Sequence, residues 1–358
     1  MLSEERRDHI LREVRDSGFV HASDLAERLG VSRATVWRDI DRLARSGAVA
    51  KVHGGASAPS GDTAARPLRP AKREFTIGMQ VPTSSYYYRS VIEGAREVCE
   101  SFGARLVVGV SGYTGLDEDR EAIRGLVGVG VDGLLLTPGF TDPNSRSGGF
   151  GELLAEVACP VVLVERDLAG LGGPDLASIT TAREAGVFSA VHFHADQGHR
   201  RIGLVVTRNM SRTRARMEQG YREALAELPR VDGVEAPGWE WDSTLSAAEI
   251  LAAIEEARVT AIVVFGDTLA ISLAHEARRQ GLSVPRDLSI ISYDDEIAAD
   301  ASPPLSAISP NRGAVGQAAA RYLLVHLSGG EALGGRRLQI EPGLVIREST
   351  APPSSQRR

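Results

Sequence analysis

A run of polar and basic side chains lies between residues 32 and 42. The side chains able to contact phosphates or bases are Ser32, Arg33, Thr35, Trp37, Arg38 and Arg42. Val36, Ile40 and Leu43 recur at helical spacing, which predicts a buried face on the opposite side. Gly30 suits a left-handed turn before this helix. With an earlier helix over residues 24–29, the pattern predicts a helix-turn-helix that places its second helix in a DNA major groove.

The stretch AVAKVHGGA, residues 48–56, alternates apolar and polar side chains before a double glycine. This pattern predicts a small β wing that adds Lys51 and His53 to the DNA-binding set. A plain helical hairpin with solvated arginines would share the bare helix-turn-helix pattern, so the motif by itself leaves that alternative open.

The same segment resembles the N-terminal domain of the DeoR family of bacterial regulators. The matching residues are Arg6, Arg7, Ile10, Asp24, Leu25, Ala26, Val31, Ser32, Thr35, Arg38, Asp39, Leu43, Gly47, His53, Gly54, Gly55 and Ala56. The resemblance implies a winged helix-turn-helix domain that binds operator DNA. Trp37 departs from the family pattern, because it stands where the family usually has the first arginine of an RRD sequence.

Composition excludes several classes of protein. The chain has 358 residues, 42% of them hydrophobic, and no apolar run of the roughly 18 residues that a membrane span requires. A charged N-terminus predicts no signal peptide, and isolated Cys99 and Cys159 suit a reduced, cytoplasmic protein. Residues 1–73 carry 14 Lys or Arg against 10 Asp or Glu, whereas the remainder carries 27 against 37. A basic head on an acidic body predicts that the small end meets DNA.

Catalytic and metal-binding patterns are absent from the sequence. His192, His194 and His199 cluster, but no carboxylate or cysteine completes a zinc set. No nucleophile elbow, P-loop or dinucleotide motif occurs in a strand–helix context. We therefore predict a protein that is not an enzyme and has neither cofactor nor metal.

A linker and two series of strands and helices follow the head. Residues 57–73 are rich in Ser, Pro, Ala and Gly, which predicts a linker. From Phe75 onward, apolar strands alternate with amphipathic helices in two sets, which predicts two lobes with parallel sheets covered on both faces. Because loops at the carboxyl ends of such strands line crevices, we expect a ligand cleft between the lobes.

Residues 75–347 resemble the effector-binding core of the LacI/GalR regulators, which shares the fold of periplasmic sugar-binding proteins. The matching positions are 94, 130–133, 160–162, 198–202, 220–221, 267, 281, 284–285, 293–295 and 304–305. The hinge helix that LacI proteins place between head and core has no counterpart in residues 57–73. The chain thus resembles a hybrid of a DeoR-type head and a LacI-type sensor.

The predicted fold class is a small α+β winged helix-turn-helix domain followed by a two-lobed α/β periplasmic-binding-protein-like domain. The predicted domains are residues 1–56 for DNA binding, 57–73 for the linker, 74–348 for effector binding and 349–358 for a disordered tail. Lobe 1 takes about residues 74–175 plus 311–328, and lobe 2 about 176–310 plus 335–348.

Candidate effector contacts lie in the loops expected to line the cleft, since polar ligands are held by carboxylates and amides and by aromatic rings. The set is Ser85, Tyr86, Tyr88, Glu165, Arg214, Arg216, Trp239, Trp241, Asp267 and Asp294. The resemblance implies that Asp294 meets the effector, although a structural role at the crossover between lobes is an alternative. Met217 stands where the family usually has an effector-binding arginine, so Arg214 or Arg216 would have to replace it. Gly266 stands where the family has an asparagine.

The sequence therefore predicts a ligand-responsive, DNA-binding transcriptional regulator. We expect a repressor of carbohydrate uptake or catabolism genes that a small sugar-like effector releases from operator DNA. The alternatives are a solute-binding protein of a transporter, which would have no use for residues 1–56, and a sugar-phosphate-processing enzyme. We also expect a cytoplasmic homodimer, and the resemblance to the LacI core implies that the helix near residues 86–102 forms the dimer contact. The effector, the operator sequence and the choice between repressor and activator stay open.

Overall fold

The computed structural model forms two compact units, residues 1–73 and 74–358. It describes residues 3–17, 19–45, 48–52, 55–57, 74–113, 115–139, 148–167, 176–207, 212–234, 240–241, 246–330 and 337–354. Within these ranges, no helix combines the length and the apolar character needed to cross a membrane.

The first unit is a three-helix domain with a small antiparallel sheet. Its elements are α1 (Ser3–Ser17), β1 (Phe19–His21), α2 (Ala22–Leu29), α3 (Arg33–Arg45), β2 (Ala50–Val52) and β3 (Gly55–Ser57). The strand order is β1-β3-β2, so β2 and β3 form the hairpin of a wing. The predicted helix-turn-helix is confirmed.

Local sequence explains the geometry of this unit. Gly30 ends α2 in the left-handed conformation at φ 62°, where a side chain would be strained. The hydroxyl of Ser32 accepts a hydrogen bond from the Thr35 amide at 3.2 Å and caps α3. Arg6 Nε of α1 donates to Asp39 Oδ2 of α3 at 2.7 Å in a mostly buried ion pair. This pair fixes α1 across the back of α3.

The second unit contains two α/β lobes. Its strands are β4 (Thr76–Val81), β5 (Arg105–Val110), β6 (Gly133–Leu136), β7 (Val161–Val164), β8 (Ala177–Thr181), β9 (Arg201–Thr207), β10 (Asp232–Val234), β11 (Glu240–Trp241), β12 (Ala261–Val264), β13 (Ser289–Tyr293), β14 (Ser306–Ser309), β15 (Arg337–Ile340) and β16 (Gly343–Val345). Its helices are α4 (Tyr87–Ser101), α5 (Leu116–Gly128), α6 (Gly148–Ala155), α7 (Arg183–Asp196), α8 (Arg212–Glu227), α9 (Ala247–Glu256), α10 (Asp267–Arg279) and α11 (Arg312–Leu327), with a 3-10 turn at Ala298–Asp300.

Each lobe is built on one sheet. The first lobe has the strand order β15-β8-β7-β6-β4-β5, and the second has β10-β9-β12-β13-β14-β16 with β11 beside β9. The strand pairs are parallel except that β16 runs antiparallel to β14. Fully buried strands such as β6 and β12 show that helices cover both faces of each sheet. The predicted two-lobed fold class is confirmed.

The chain crosses between the lobes three times: from β8 to α7, from β14 to α11, and from β15 to β16. The predicted lobe boundaries differ from this arrangement at two strands. We predicted residues 176 onward in the second lobe, but β8 pairs with β7 in the first sheet, with Leu163 opposite Ser178. Residues 337–340, predicted in the second lobe, extend the same sheet beside β8. Pairing partners distant in sequence decide both placements.

Close helix packing stabilises the first lobe. A Cβ atom on Gly316 of α11 would lie 1.9 Å from the Val91 carbonyl oxygen of α4, and one on Gly94 would lie 2.2 Å from the Gly313 carbonyl oxygen. Only glycine permits this approach, so α4 and α11 meet backbone to backbone.

A matched pair of glycine variants tests this packing. Gly316→Ala should reduce the free energy of unfolding by about 1–3 kcal/mol, because the added methyl group overpacks the interface. Gly125→Ala is the control, since no atom lies within 4 Å of a Cβ at this position in α5; alanine there should stabilise by about 0.5–1 kcal/mol. Urea unfolding followed by circular dichroism measures both, and equal effects would contradict the packing argument.

Candidate functional site

Helix α3 exposes basic side chains on one face and buries apolar ones on the other. Arg33, Arg38 and Arg42 are exposed, whereas Val36 and Ile40 are fully buried in the core of the first unit. The first turn of α3 carries no acidic residue, so the positive end of the helix dipole is not neutralised there. This face offers guanidinium groups and a helix N-terminus to an anionic partner.

The structure places Trp37 and Lys51 against each other. Trp37 is partly buried on the core, and Lys51 Nζ lies 5.0 Å from the centroid of its ring. Lys51 Nζ also donates to Asp41 Oδ1 at 2.7 Å. His53, predicted beside them, lies outside the described residues.

In the second unit, the loops after the carboxyl ends of the parallel strands of both lobes meet at the lobe boundary. Tyr86 follows β4 of the first lobe and is 39% exposed. Partial burial, and then the charges of Asp294 and Asp267 from the second lobe, raise its pKa above the ordinary value. These two carboxyl groups of the second lobe therefore lie near enough to Tyr86 to act on its hydroxyl across the lobe boundary. Ser85, next to Tyr86, is exposed at the same edge.

Asp294 is the least satisfied carboxyl group in this cleft. It follows β13 at φ 106°, a conformation that is strained for any residue except glycine. Within the described part of the chain, its side chain accepts no hydrogen bond, whereas Asp267 accepts two from backbone amides and Glu296 forms an ion pair with Arg312. Burial, followed by the like charge of Asp267, raises the pKa of Asp294 to about 8. A ligand that supplies hydrogen-bond donors would therefore stabilise this carboxyl group.

Asp267 has a structural role instead of the predicted effector contact. Its side chain is fully buried at the start of α10. One carboxylate oxygen accepts from the backbone amides of Glu296 and Ile297 at 2.7 and 2.9 Å, and the other accepts from the Ser292 hydroxyl. Asp267 thereby fixes the loop that carries Asp294.

Glu165 also differs from its predicted role, because the protein itself saturates its carboxylate. It accepts hydrogen bonds from the Tyr87 hydroxyl at 2.6 Å, the Thr181 hydroxyl at 2.7 Å, the Thr181 amide at 3.0 Å and Arg183 Nη2 at 2.6 Å. Its side chain has no exposed surface. Burial alone would raise its pKa, but Arg183 and then the hydrogen bonds hold the pKa of Glu165 below its usual range.

Other predicted effector residues are placed in different surroundings. Tyr88 is only 4% exposed, so it has little surface for a ligand. Arg214 pairs with Glu218 one turn along α8 at 2.6 Å. Arg216 lies 3.5 Å from Asp167 and 3.2 Å from Glu184. Trp239 and the side chain of Trp241 lie outside the described residues.

Three arginines that the sequence analysis missed lie at the lobe boundary. Arg183 begins α7 at the first crossover. Arg212 of α8 donates to the Asp167 carbonyl at 3.0 Å and also pairs with its carboxylate, which links the second lobe to the first. Arg312 begins α11 at the second crossover, where it pairs with Glu296 at 2.9 Å and donates to the Asp294 carbonyl. Their only sequence signal is a position immediately after a strand or at a helix start.

The histidine cluster is structural. Burial lowers the pKa of His194 to about 3, so it stays neutral. His199 Nδ1 lies 2.8 Å from the Thr260 hydroxyl and Nε2 lies 2.9 Å from the Ala351 carbonyl. Across the described ranges, no group of three His, Cys, Asp or Glu side chains could hold a metal ion.

A helix-turn-helix unit and a two-lobed core with three crossovers define a class of ligand-binding transcriptional regulators. A model of the periplasmic binding protein-like domain matches residues 191–350, and a model of the DeoR-like helix-turn-helix domain matches residues 6–61. The ribose operon repressor of Haemophilus influenzae is 31% identical over 286 residues, which cover 76% of this chain and 80% of the repressor. The chain belongs to the LacI family of transcriptional regulators, which bind DNA and respond to small ligands. Its function is therefore transcriptional regulation, as predicted, and its relatives are repressors and not enzymes.

Solved structures of regulators share the fold of the second unit. The lac repressor dimer bound to operator and the anti-inducer ONPF has a TM-score of 0.65 at 21% identity, covering 78% of this chain and 96% of that chain. A LacI family regulator from Enterococcus faecium with bound ribose has a TM-score of 0.61 at 21% identity, covering 77% of this chain and 99% of that chain.

The Glu165–Arg183 pair gives a prediction about stability and its pH dependence. Glu165→Gln leaves the Arg183 guanidinium buried without a counter-charge, so the free energy of unfolding should fall by about 3–5 kcal/mol at pH 7. Because the folded-state pKa of Glu165 is lowered, the wild-type advantage should be present above the ordinary value of 4.5 and be lost as the pH falls through the lowered pKa.

The control for this prediction is Glu156→Gln. Glu156 pairs with Arg124 at 2.8 Å but is 45% exposed, so its loss should leave stability unchanged. Urea unfolding at pH 7 and at pH 3 compares the variants. Equal stability of Glu165→Gln and wild type at pH 7 would refute the role given to the pair.

Proposed function

We propose that the first unit is a winged helix-turn-helix of the DeoR type that binds operator DNA with α3 in the major groove. The exposed arginines of α3, its uncompensated N-terminus and the β2–β3 hairpin support this assignment. The proposed contacts are Ser32, Arg33, Thr35, Arg38, Arg42, Lys51 and His53. The Arg6–Asp39 pair gives a physical reason for two residues of the motif that the sequence shares with the DeoR domain, because it fixes the recognition helix on α1.

We propose that the second unit binds a small sugar-like effector between its lobes. This proposal is supported by Asp294, whose backbone is strained and whose carboxyl group has no partner among the described residues, at the lobe boundary where its charge acts on Tyr86. Carboxylates and aromatic rings are the groups that hold hydroxylated ligands in such clefts. Ser85, Arg216, Trp239 and Trp241 remain further candidates. The ribose-bound Enterococcus regulator supports a sugar as the first ligand class to test.

Effector binding would regulate transcription by closing the lobes. A ligand shifts an equilibrium only through different affinities for its two states, so closure must change the geometry of the heads on operator DNA. We propose a cytoplasmic homodimer that represses carbohydrate uptake or catabolism genes, since one head covers too little DNA for tight specific binding. Helix α4 is the proposed dimer contact. Residues 58–73, within the predicted linker, lie outside the described residues.

Arg38→Ala tests the head. Operator sequences are first selected from a random duplex pool with the wild-type protein, and affinity is then measured by fluorescence anisotropy. The variant should bind about 1–3 kcal/mol more weakly if Arg38 contacts a base. Arg278→Ala, at an exposed position on α10, is the matched control and should bind like wild type. Unchanged affinity of Arg38→Ala would remove this residue from the interface.

Asp294→Asn tests the cleft. Monosaccharides beginning with D-ribose are screened by thermal shift, because a ligand at 100 times its Kd stabilises the folded state by about 2.7 kcal/mol. The variant should bind operator normally but resist release by every sugar that releases wild type. Asp300→Asn, at an exposed position, is the control and should respond normally. Normal release of Asp294→Asn would contradict the proposed contact, and loss of DNA binding without a sugar would make Asp294 structural.

The same variant should be more stable than wild type in alkaline solution. The pKa of Asp294 is raised to about 8, so ionisation disfavours the folded state increasingly as the pH rises from the ordinary value of 3.8 through about 8. Melting temperatures should therefore diverge between pH 4 and pH 9, with the variant higher. A constant difference would contradict this account of Asp294.

A further inference from the structure

Trp37 and Asp41 lie one helical turn apart on α3, and Lys51 of the wing reaches both. The Lys51 ammonium lies 5.0 Å from the Trp37 ring centroid and 2.7 Å from Asp41 Oδ1. Within the first unit, Lys51 of β2 therefore contacts two side chains of the recognition helix, α3. The three side chains thus join the wing to α3.

This arrangement restrains a side chain that would otherwise be mobile. A lysine has a flexible four-carbon stem with three ammonium donors, and an exposed ion pair to Asp41 alone would hold it weakly. The face of an indole ring attracts an ammonium independently of that ion pair, and Trp37 is itself fixed because it packs on the core of the first unit. Two attractions from one rigid helix therefore act on the same ammonium.

These contacts give Lys51 and Trp37 different roles on the proposed DNA-binding face. Lys51 remains 52% exposed despite both contacts, and Asp41 uses one of its three donors. The remaining donors can meet a phosphate oxygen. The ring of Trp37, by contrast, lies beneath the ammonium and is partly covered by the core, so it is poorly placed to read a base.

We propose that Trp37 is a positioning residue, which together with Asp41 holds the Lys51 ammonium beside the recognition helix to contact one phosphate of the DNA backbone. The proposal rests on DNA binding by the first unit and specifies how the wing takes part in it. It also assigns a role to the residue that departs from the DeoR pattern: an arginine at position 37 would repel Lys51, whereas tryptophan attracts it.

The free protein tests the positioning step without DNA. Lys51 and Lys72 are the only lysines in the chain, so reductive methylation with 13C-formaldehyde labels two side chains and the N-terminal amine. Dimethylated lysine keeps its charge and one N–H donor. The Lys51 methyl resonance, assigned with Lys51→Arg, should be shifted upfield of the Lys72 resonance by the indole ring current. Trp37→Leu should abolish that shift and Trp37→Phe should retain part of it, while coincident resonances in wild type would overturn the proposal.

DNA titrations with unmethylated protein test the phosphate contact. For each head, Lys51→Met should lower affinity about five-fold at 0.15 M salt and reduce the slope of log K against log salt by about 0.9, hence by about 1.8 for the proposed dimer, equally on selected and random duplexes. Trp37→Leu should reduce the same slope, and the double variant should lose little more than Lys51→Met alone, since both changes remove one contact. An unchanged slope in Lys51→Met, or altered base preference in Trp37→Leu, would overturn the proposal. If wild type binds no DNA, the proposed function fails instead, and the resonance shift still reports the arrangement of Lys51.

Discussion

The second unit depends on a buried ion pair at the point where the chain first leaves its first lobe. Arg183 begins α7, and Glu165 lies at the end of β7, with the two charges 2.6 Å apart and almost without exposure. Removing two charges from water is costly, and their attraction offsets that cost only when other hydrogen bonds satisfy the remaining lone pairs. Tyr87 and Thr181 supply those bonds.

All three crossovers converge on this cluster. The amide of Ala182, in the first crossover, donates to the Ile340 carbonyl in the third at 2.9 Å. The guanidinium of Arg312, which begins α11 after the second crossover, lies 5.4 Å from the Tyr87 ring centroid. Arg312 also holds the loop of Asp294 and Glu296. A rotation of the lobes about the crossovers would therefore move the candidate effector contacts and α11 together. The backbone is strained at three residues of the same boundary, Tyr86, Glu165 and Asp294. Backbone strain of this kind is typical of functional sites.

Sequence reasoning succeeded where local pattern determines structure. Helix α3 could be predicted because apolar residues repeat at helical spacing after a glycine that the turn requires, and the parallel strands could be predicted from apolar runs between amphipathic helices. The lobe of β8 could not be predicted, since a strand carries no local mark of the sheet that it joins. Glu165 and Asp267 resemble ligand contacts in sequence because they follow or flank buried strands. Whether such carboxylates are free depends on Arg183 and Ser292, which only the fold brings to them.

The coupling between effector binding and operator binding is tested most directly by thermodynamic reciprocity. If one chain links effector binding to operator binding, the factor by which saturating effector weakens operator affinity must equal the factor by which operator weakens effector affinity. Both factors are measurable with full-length protein, by anisotropy of labelled operator and by calorimetric titration of the sugar that the thermal screen identifies. We expect equal factors well above one. An effector affinity unchanged by saturating operator would contradict the account.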